Sequence, residues 1–178
     1  MRIISGKYRG RRLQPPVNLP VRPTTDFAKE GLFNVLNNMV DYESLRVLDL
    51  FAGTGSMSFE FLSRGVIEVT AIDSNHRCVD FIKKTAELFG ADNMKVVKSN
   101  SFVFIKRMMA TYDLIFADPP YDLEGIEAIP GLIFSSGLLS ENGILILEHS
   151  SGYSFTKDLN FDSHRNYGSV NFTFFKRS

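Results

Sequence analysis

Three short clusters place polar groups where an apolar stretch gives way to a loop, and each could hold part of a ligand. The first is Asp49-Leu50-Phe51-Ala52-Gly53-Thr54-Gly55-Ser56. Glycines at 53 and 55 permit a tight turn and let a ligand come close to the main chain. A helix starting near Ser56 aims its free amides into the same space. A dinucleotide fingerprint needs a third glycine at position 58, where Ser58 stands, and no Gly-Lys-Ser/Thr follows as in a phosphate loop. Asp49 would repel a pyrophosphate and suits a ligand that presents an ammonium group. A plain strand-to-helix turn would use the same glycines.

The second cluster begins at Asp73-Ser74, 20 residues after Gly53. An acid there can accept hydrogen bonds from two ribose hydroxyls, or it can cap the helix entered at Asn75. Asn100-Ser101 follows the third apolar stretch, and the Asn100 side-chain oxygen can read an adenine amine or cap a helix. The third cluster is Asp118-Pro119-Pro120-Tyr121. Two prolines have no amide to donate, so the segment offers acceptors, the Asp118 carboxylate and the Pro119 carbonyl, beside the flat ring of Tyr121. Such a group fits an exocyclic amine on an aromatic base, with the acceptors on its hydrogens and the ring stacked on the base. A rigid turn after a strand is the alternative.

Other polar residues are less pointed. His76, His149 and His164 are dispersed without ligand spacing, so no metal site is expected. Glu148-His149 ends the fifth apolar stretch, where it can line a cleft or simply pack. The single cysteine, Cys78, can form neither an internal disulfide nor a cysteine zinc site.

Positioning those clusters requires a sheet. Short apolar strands at Leu45–Leu50, Ile67–Ile72, Met94–Val97, Leu114–Ala117 and Ile144–Leu147 alternate with helical patterns. One helix shows Cys78, Ile82, Ala86 and Phe89 on one face and stops at Gly90; another is marked by Phe102, Ile105 and Met109. Continuous aliphatic strands separated by helices indicate a parallel sheet covered on both faces. In such sheets ligands bind beyond the carboxyl ends of the strands, where all three clusters fall. Near the end, Val170, Phe172 and Phe174 alternate with polar residues as in an added antiparallel strand, preceded by a turn at Tyr167-Gly168.

Upstream, Ile3-Ile4 and Leu13 flank a glycine-bounded turn, Gly6-Lys7-Tyr8-Arg9-Gly10, that predicts a small hairpin. Pro15, Pro16, Pro20 and Pro23 then make an extended linker. Thr25 or Asp26 can cap a helix carrying Leu32, Phe33, Leu36, Met39 and Val40 at helical spacing. With 178 residues, 44% hydrophobic and 22% charged, the chain is large enough for one well-buried domain, and disorder, collagen and coiled coil are excluded. No apolar run approaches the roughly 20 residues of a membrane span, and the start lacks a secretory signal, so a cytoplasmic address is expected. The zero net charge hides an asymmetry. Residues 1–22 carry Arg2, Lys7, Arg9, Arg11, Arg12 and Arg22 and no acid, leaving 14 basic against 20 acidic residues elsewhere. A basic arm on an acidic body suits a polyanion, although basic termini are also often solvated tails.

The order of these signals resembles the class I S-adenosylmethionine-dependent methyltransferases. A closer resemblance runs nearly end to end. Arg2-Ile3-Ile4-Ser5-Gly6-Lys7-Tyr8-Arg9-Gly10-Arg11-Arg12-Leu13, Arg22-Pro23-Thr24-Thr25-Asp26, Leu48-Asp49-Leu50-Phe51-Ala52-Gly53-Thr54-Gly55 and Asp118-Pro119-Pro120-Tyr121 are similar to the RsmD family, bacterial enzymes that methylate the N2 of a guanine in 16S ribosomal RNA. The resemblance implies an α/β Rossmann-like fold with a mostly parallel seven-stranded sheet and helices on both faces. A basic hairpin and linker over residues 1–26 would precede a methyltransferase domain over 27–178. It also implies S-adenosylmethionine as cofactor, with S-adenosylhomocysteine as product. Asp49, Phe51, Ala52, Gly53, Thr54, Gly55, Asp73, Ser74, Asn100 and Ser101 would bind it. Asp118, Pro119, Pro120 and Tyr121 would hold the target amine, and Lys7, Arg9, Arg11, Arg12 and Arg22 the RNA. The implied target is guanine 966 of 16S rRNA in the small subunit, acted on by a monomer without metal or membrane. One departure is Phe27-Ala28-Lys29-Glu30, where the family usually has an arginine-rich turn before a glutamate. Rival readings are DNA adenine-N6 methylation, protein glutamine methylation and a non-catalytic RNA-binding assembly factor.

Overall fold

The computed structural model describes residues 1–17, 19 and 24–177. Seven strands form one sheet: β1 (Arg46–Asp49), β2 (Glu68–Asp73), β3 (Met94–Lys98), β4 (Tyr112–Ala117), β5 (Leu139–His149), β6 (Phe161–Tyr167) and β7 (Val170–Phe175). Their order is β3-β2-β1-β4-β5-β7-β6. The first five are parallel, and β7 joins β5 antiparallel with β6 beyond it. The chain winds outward from β1 to β3 and returns to place β4 on the other side of β1, so the order reverses between β1 and β4. That reversal opens a crevice at the carboxyl ends of the strands.

Strand side chains alternate between faces, and the sheet is buried on both. On one face Val47, Val69, Ala71, Leu114, Phe116, Ile144, Ile146, Phe172 and Phe174 meet α1 (Asp26–Leu36), α2 (Ser56–Ser63) and α3 (His76–Phe89). On the other, Leu48, Ile72, Ile115, Ala117, Leu145, Leu147 and Phe175 meet α4 (Ser101–Arg107) and α5 (Ile129–Ser136). Among the described residues no helix is long and apolar enough to cross a membrane.

Local chemistry sets the helix ends. Thr25 caps α1 by accepting from the Ala28 amide, Asn75 caps α3 by accepting from the Arg77 amide, and Gly90 ends α3 in the left-handed conformation. Met39 and Val40 lie past the end of α1 in a turn rather than on the helix. Met109 lies beyond α4 and is fully exposed. The apolar periodicity that suggested it stops at Arg107, and the buried anchors are Phe104 and Ile105. β7 is the antiparallel strand that its alternation suits: Val170, Phe172 and Phe174 join the core, while Asn171 and Thr173 are buried through hydrogen bonds to His149 and His164.

Residues 1–13 fold back as a hairpin closed by one antiparallel bridge, Arg2 with Arg12, and seat Ile3, Tyr8 and Leu13 in the core under α1 and α2. Gly6 lies so close to α2 that a Cβ would fall 1.7 Å from the Ser63 carbonyl oxygen. Ser63 accepts from the Lys7 and Tyr8 amides at 2.7 and 2.8 Å, through its carbonyl and hydroxyl oxygens respectively. Glu60, fully buried, accepts from the amides of Ile4 and Ser5 and from the Arg64 guanidinium. Lys29, also buried, lies 3.7 Å from Glu60 and donates to the Arg2 carbonyl and the Ser56 hydroxyl. Burial holds the Lys29 ammonium below its ordinary pKa, with the Glu60 charge opposing that shift. A buried charge of this kind is tolerated only when paired and hydrogen-bonded.

Candidate active site

Strand order converts four distant positions into a spatial row. In the register Asp49 pairs with Ala71 on one side and Phe116 on the other, and Ala117 pairs with Leu147. Asp73 and Asp118 each lie two residues past a partner of Asp49, and Glu148 is the residue after Leu147. By alternation all four belong to one face of the sheet. They line a single cavity of about 640 Å³. Among the described residues its wall has no lysine or arginine, and no group of three His, Cys, Asp or Glu side chains is placed to hold a metal ion.

One half of the cavity is the glycine loop. Gly53 and Gly55 both have positive φ, and a Cβ on Gly55 would press on Ile82 and Phe59 at 3.1 Å, so the tight turn requires glycine. The Gly53 amide donates to Asp73 Oδ2 at 2.8 Å and the Asn75 amide to Oδ1 at 2.7 Å. Asp73 therefore does not cap a helix. It ties the loop to β2, and each oxygen retains a lone pair for a ligand. Burial raises its pKa against those two amide donors. Asp49 is 1% exposed, accepts from the Ser58 hydroxyl at 2.6 Å through Oδ2, and leaves Oδ1 without a hydrogen-bond partner among the described residues. Burial pushes its carboxyl up to about 7, with the Asp73 charge adding to the shift and the Ser58 bond opposing it. An orphaned buried carboxylate oxygen facing a cavity is a site for a cation.

Phe51, Ala52, Thr54, Ser74, Asn100 and Ser101 also line this half, while Gly55 does not and acts through the turn. The Asn100 side-chain oxygen accepts from the Phe102 and Val103 amides, so it is a helix cap. It lines the cavity at the same time. The Ser101 hydroxyl donates to the Leu50 carbonyl, fixing the loop from behind. Cys78 lines the cavity too, but burial raises its thiol to about 11, which rules out a thiolate nucleophile near neutral pH.

The other half contains Asp118, Pro120, Tyr121, Phe116, Glu148 and Thr24. Pro119, between Asp118 and Pro120, is buried and is not part of the lining. Sequence reasoning leaves Glu148 undecided and gives Thr24 no role in the site. The structure buries both, with the Thr24 hydroxyl donating to Glu148 Oε2 at 3.1 Å. His149 packs instead, between Thr173 Oγ1 and the Ser150 carbonyl, and exposed His76 and His164 are outside the cavity wall. Only strand register joins Asp118 to Glu148, so no local motif could have paired them.

Lys7, Arg9, Arg11 and Arg12 are exposed on the hairpin, and Arg22 lies outside the described residues. Arg11 stacks over the rings of Phe89 and Tyr8 at 4.7 and 5.5 Å. The hairpin abuts the glycine loop, since Lys29 bonds both Arg2 and Ser56.

A reversal of strand order beneath a glycine loop, with acids at successive strand ends, defines the class I methyltransferase fold. Comparison with known proteins narrows the class. Residues 1–176 match the family described as conserved hypothetical protein 95. Ribosomal RNA small subunit methyltransferase D of Escherichia coli is 32% identical over 148 residues, covering 83% of this chain and 74% of that protein. Its namesake from Buchnera aphidicola is 31% identical over 152 residues, 85% of this chain and 76% of the relative. Among solved structures, the candidate methyltransferase yhhF of Escherichia coli superposes with a TM-score of 0.87 at 29% identity, over 100% of this chain and 98% of that one. A hypothetical protein of Thermus thermophilus gives 0.85 at 28% identity over 99% of both. The chain belongs to the RsmD family.

Proposed function

We propose that this protein transfers a methyl group from S-adenosylmethionine to the exocyclic N2 of a guanine, of the guanine 966 type, in 16S rRNA within the small ribosomal subunit. The observation that carries the proposal is the carboxylate row. It sets a cation-accepting glycine-loop half beside an amine-accepting half in one cavity. The relatives named for small-subunit rRNA methylation support the substrate class.

The donor set fits the cofactor, because the orphaned Asp49 Oδ1 suits an ammonium group and the remaining lone pairs of Asp73 suit ribose hydroxyls. When bound, the cofactor supplies a methyl group already activated on a sulfonium. The protein is therefore left mainly to orient the partners. Asp118 accepts the hydrogens of the target amine, which favours a pyramidal nitrogen and stabilises the positive charge that develops there. Tyr121 stacks on the base, which must leave its own stack to enter. Residues 1–26 serve as the arm: Lys7, Arg9, Arg11, Arg12 and Arg22 grip phosphates and set register, while residues 27–178 carry the chemistry. The enzyme works as a cytoplasmic monomer and uses no metal.

The test is to incubate the protein with methyl-labelled S-adenosylmethionine and three acceptors: small subunits lacking the mark, naked 16S RNA and duplex DNA. Label recovered as N2-methylguanine from subunit RNA is expected. Label in DNA alone would move the activity to adenine, and cofactor binding without label in any acceptor would remove the substrate assignment.

A further inference from the structure

Glu148 is a buried carboxylate in the cavity wall that transfer to an amine does not itself require. It sits at the end of β5, beside Asp118 at the end of β4, and is 3% exposed. A packing position in an aliphatic strand end would be apolar, because a buried carboxylate is costly unless it has a partner. Thr24, delivered from the segment before α1 and 124 residues away in the chain, donates to its Oε2 and fixes its orientation. A carboxylate has about four acceptor positions and can hold several donors at once.

Resting on the guanine-N2 reading, we infer that Glu148, oriented by Thr24, is a specificity-determining residue that accepts the N1–H of the target guanine while its neighbour Asp118 accepts the N2 amine. The Watson–Crick edge of guanine presents N1–H and N2–H side by side, two donors for two adjacent acceptors. Adenine presents a donor at N6 beside a lone pair at N1, which a second carboxylate would repel. A flipped base is read along this edge, and a site built to bond a donor rejects an analogue that lacks it far more strongly than an apolar pocket could. Thr24 is a positioning residue in this scheme.

A base that keeps the N2 amine but changes N1 from donor to acceptor isolates the claim. Small subunits are reconstituted with 16S RNA carrying either guanine or 2,6-diaminopurine at the target position, and kcat/KM is measured for the wild type and for Glu148→Gln. The Gln amide can donate to an N1 lone pair. The wild type should prefer guanine by on the order of 10²-fold, and Glu148→Gln should bring the ratio to about one or invert it. Cofactor affinity and Tm of both proteins report whether the variant is folded. An unchanged ratio in a folded variant, or equal losses on both bases, overturns the role of Glu148 while leaving the guanine reading intact. If the variant does not fold, the wild-type ratio decides, and a value near one overturns the inference. Label found on adenine N6 in place of guanine N2 overturns the underlying reading and the Glu148 role with it.

Discussion

Around the ends of β1 and β2, Asp73, Asn100 and Ser101 are each tied to backbone of the strand-end loops, whereas around the ends of β4 and β5 the wall is assembled from segments up to 124 residues apart. The first half is held together by hydrogen bonds of its own loops. Its carboxylates hold amides and a serine, and among the described residues one oxygen of Asp49 stays unmatched. The second half depends on sheet register and on a segment laid across from the N-terminal region. Local hydrogen bonding suits a small ligand of fixed shape; assembly from several segments suits a base that must be both recognised and placed.

If the halves are separable in this way, Asp118→Ala should lower kcat by about 10²- to 10³-fold, a magnitude typical of removing one preorganised electrostatic contact. Cofactor affinity by calorimetry should stay within about threefold. A parallel collapse of cofactor binding would show that the two halves form one unit.

A smaller effect is expected on the other side. Asp49→Asn should weaken cofactor binding by about tenfold and raise Tm near neutral pH, where the buried carboxylate is costly, while leaving it nearly unchanged at low pH. Its pH behaviour sharpens the comparison. The folded-state pKa is raised from 3.8 to about 7, so in the free protein the contribution of Asp49 to stability is present at low pH and fades as pH rises through that window. Cofactor affinity should run the other way, strengthening as the carboxylate ionises up to about pH 7. Asn at position 49 should remove both slopes; a wild-type affinity flat between pH 5 and about 8 would contradict the ammonium role.

The smallest effect belongs to Asn100. Its oxygen caps α4, so Asn100→Ala should cost about 1 kcal/mol of stability in denaturant melts. Cofactor affinity should change by less than about threefold. A larger loss would show that Asn100 contacts the cofactor as well.

The halves also differ in how far the sequence revealed them. The glycine loop, Asp73 and Asp118-Pro119-Pro120-Tyr121 announce themselves because turn chemistry and strand ends are local signals. Thr24, Glu148 and the Lys29–Glu60–Arg64 cluster do not, since register and packing bring them together rather than spacing. In the fold, β6 escaped notice because Asp162, Ser163, His164, Arg165 and Asn166 are polar on an edge strand and carry no alternation. Helix α5 escaped for the opposite reason. Leu132-Ile133-Phe134 reads as a continuous apolar run, which periodicity cannot assign to helix or strand.

The fastening of residues 3–8 onto α2 bears on the order in which the protein is made. Ile4 and Tyr8 are held by Glu60 and Ser63, residues that follow them by 56 and 55 positions. Synthesis delivers the basic hairpin before α2, and these bonds cannot form until α2 has emerged and the intervening loop has been closed, with its entropic cost. For that interval the nascent chain carries an unanchored run of positive charge. The same burial that later makes the hairpin rigid also makes its shape wait for residues 60 and 63.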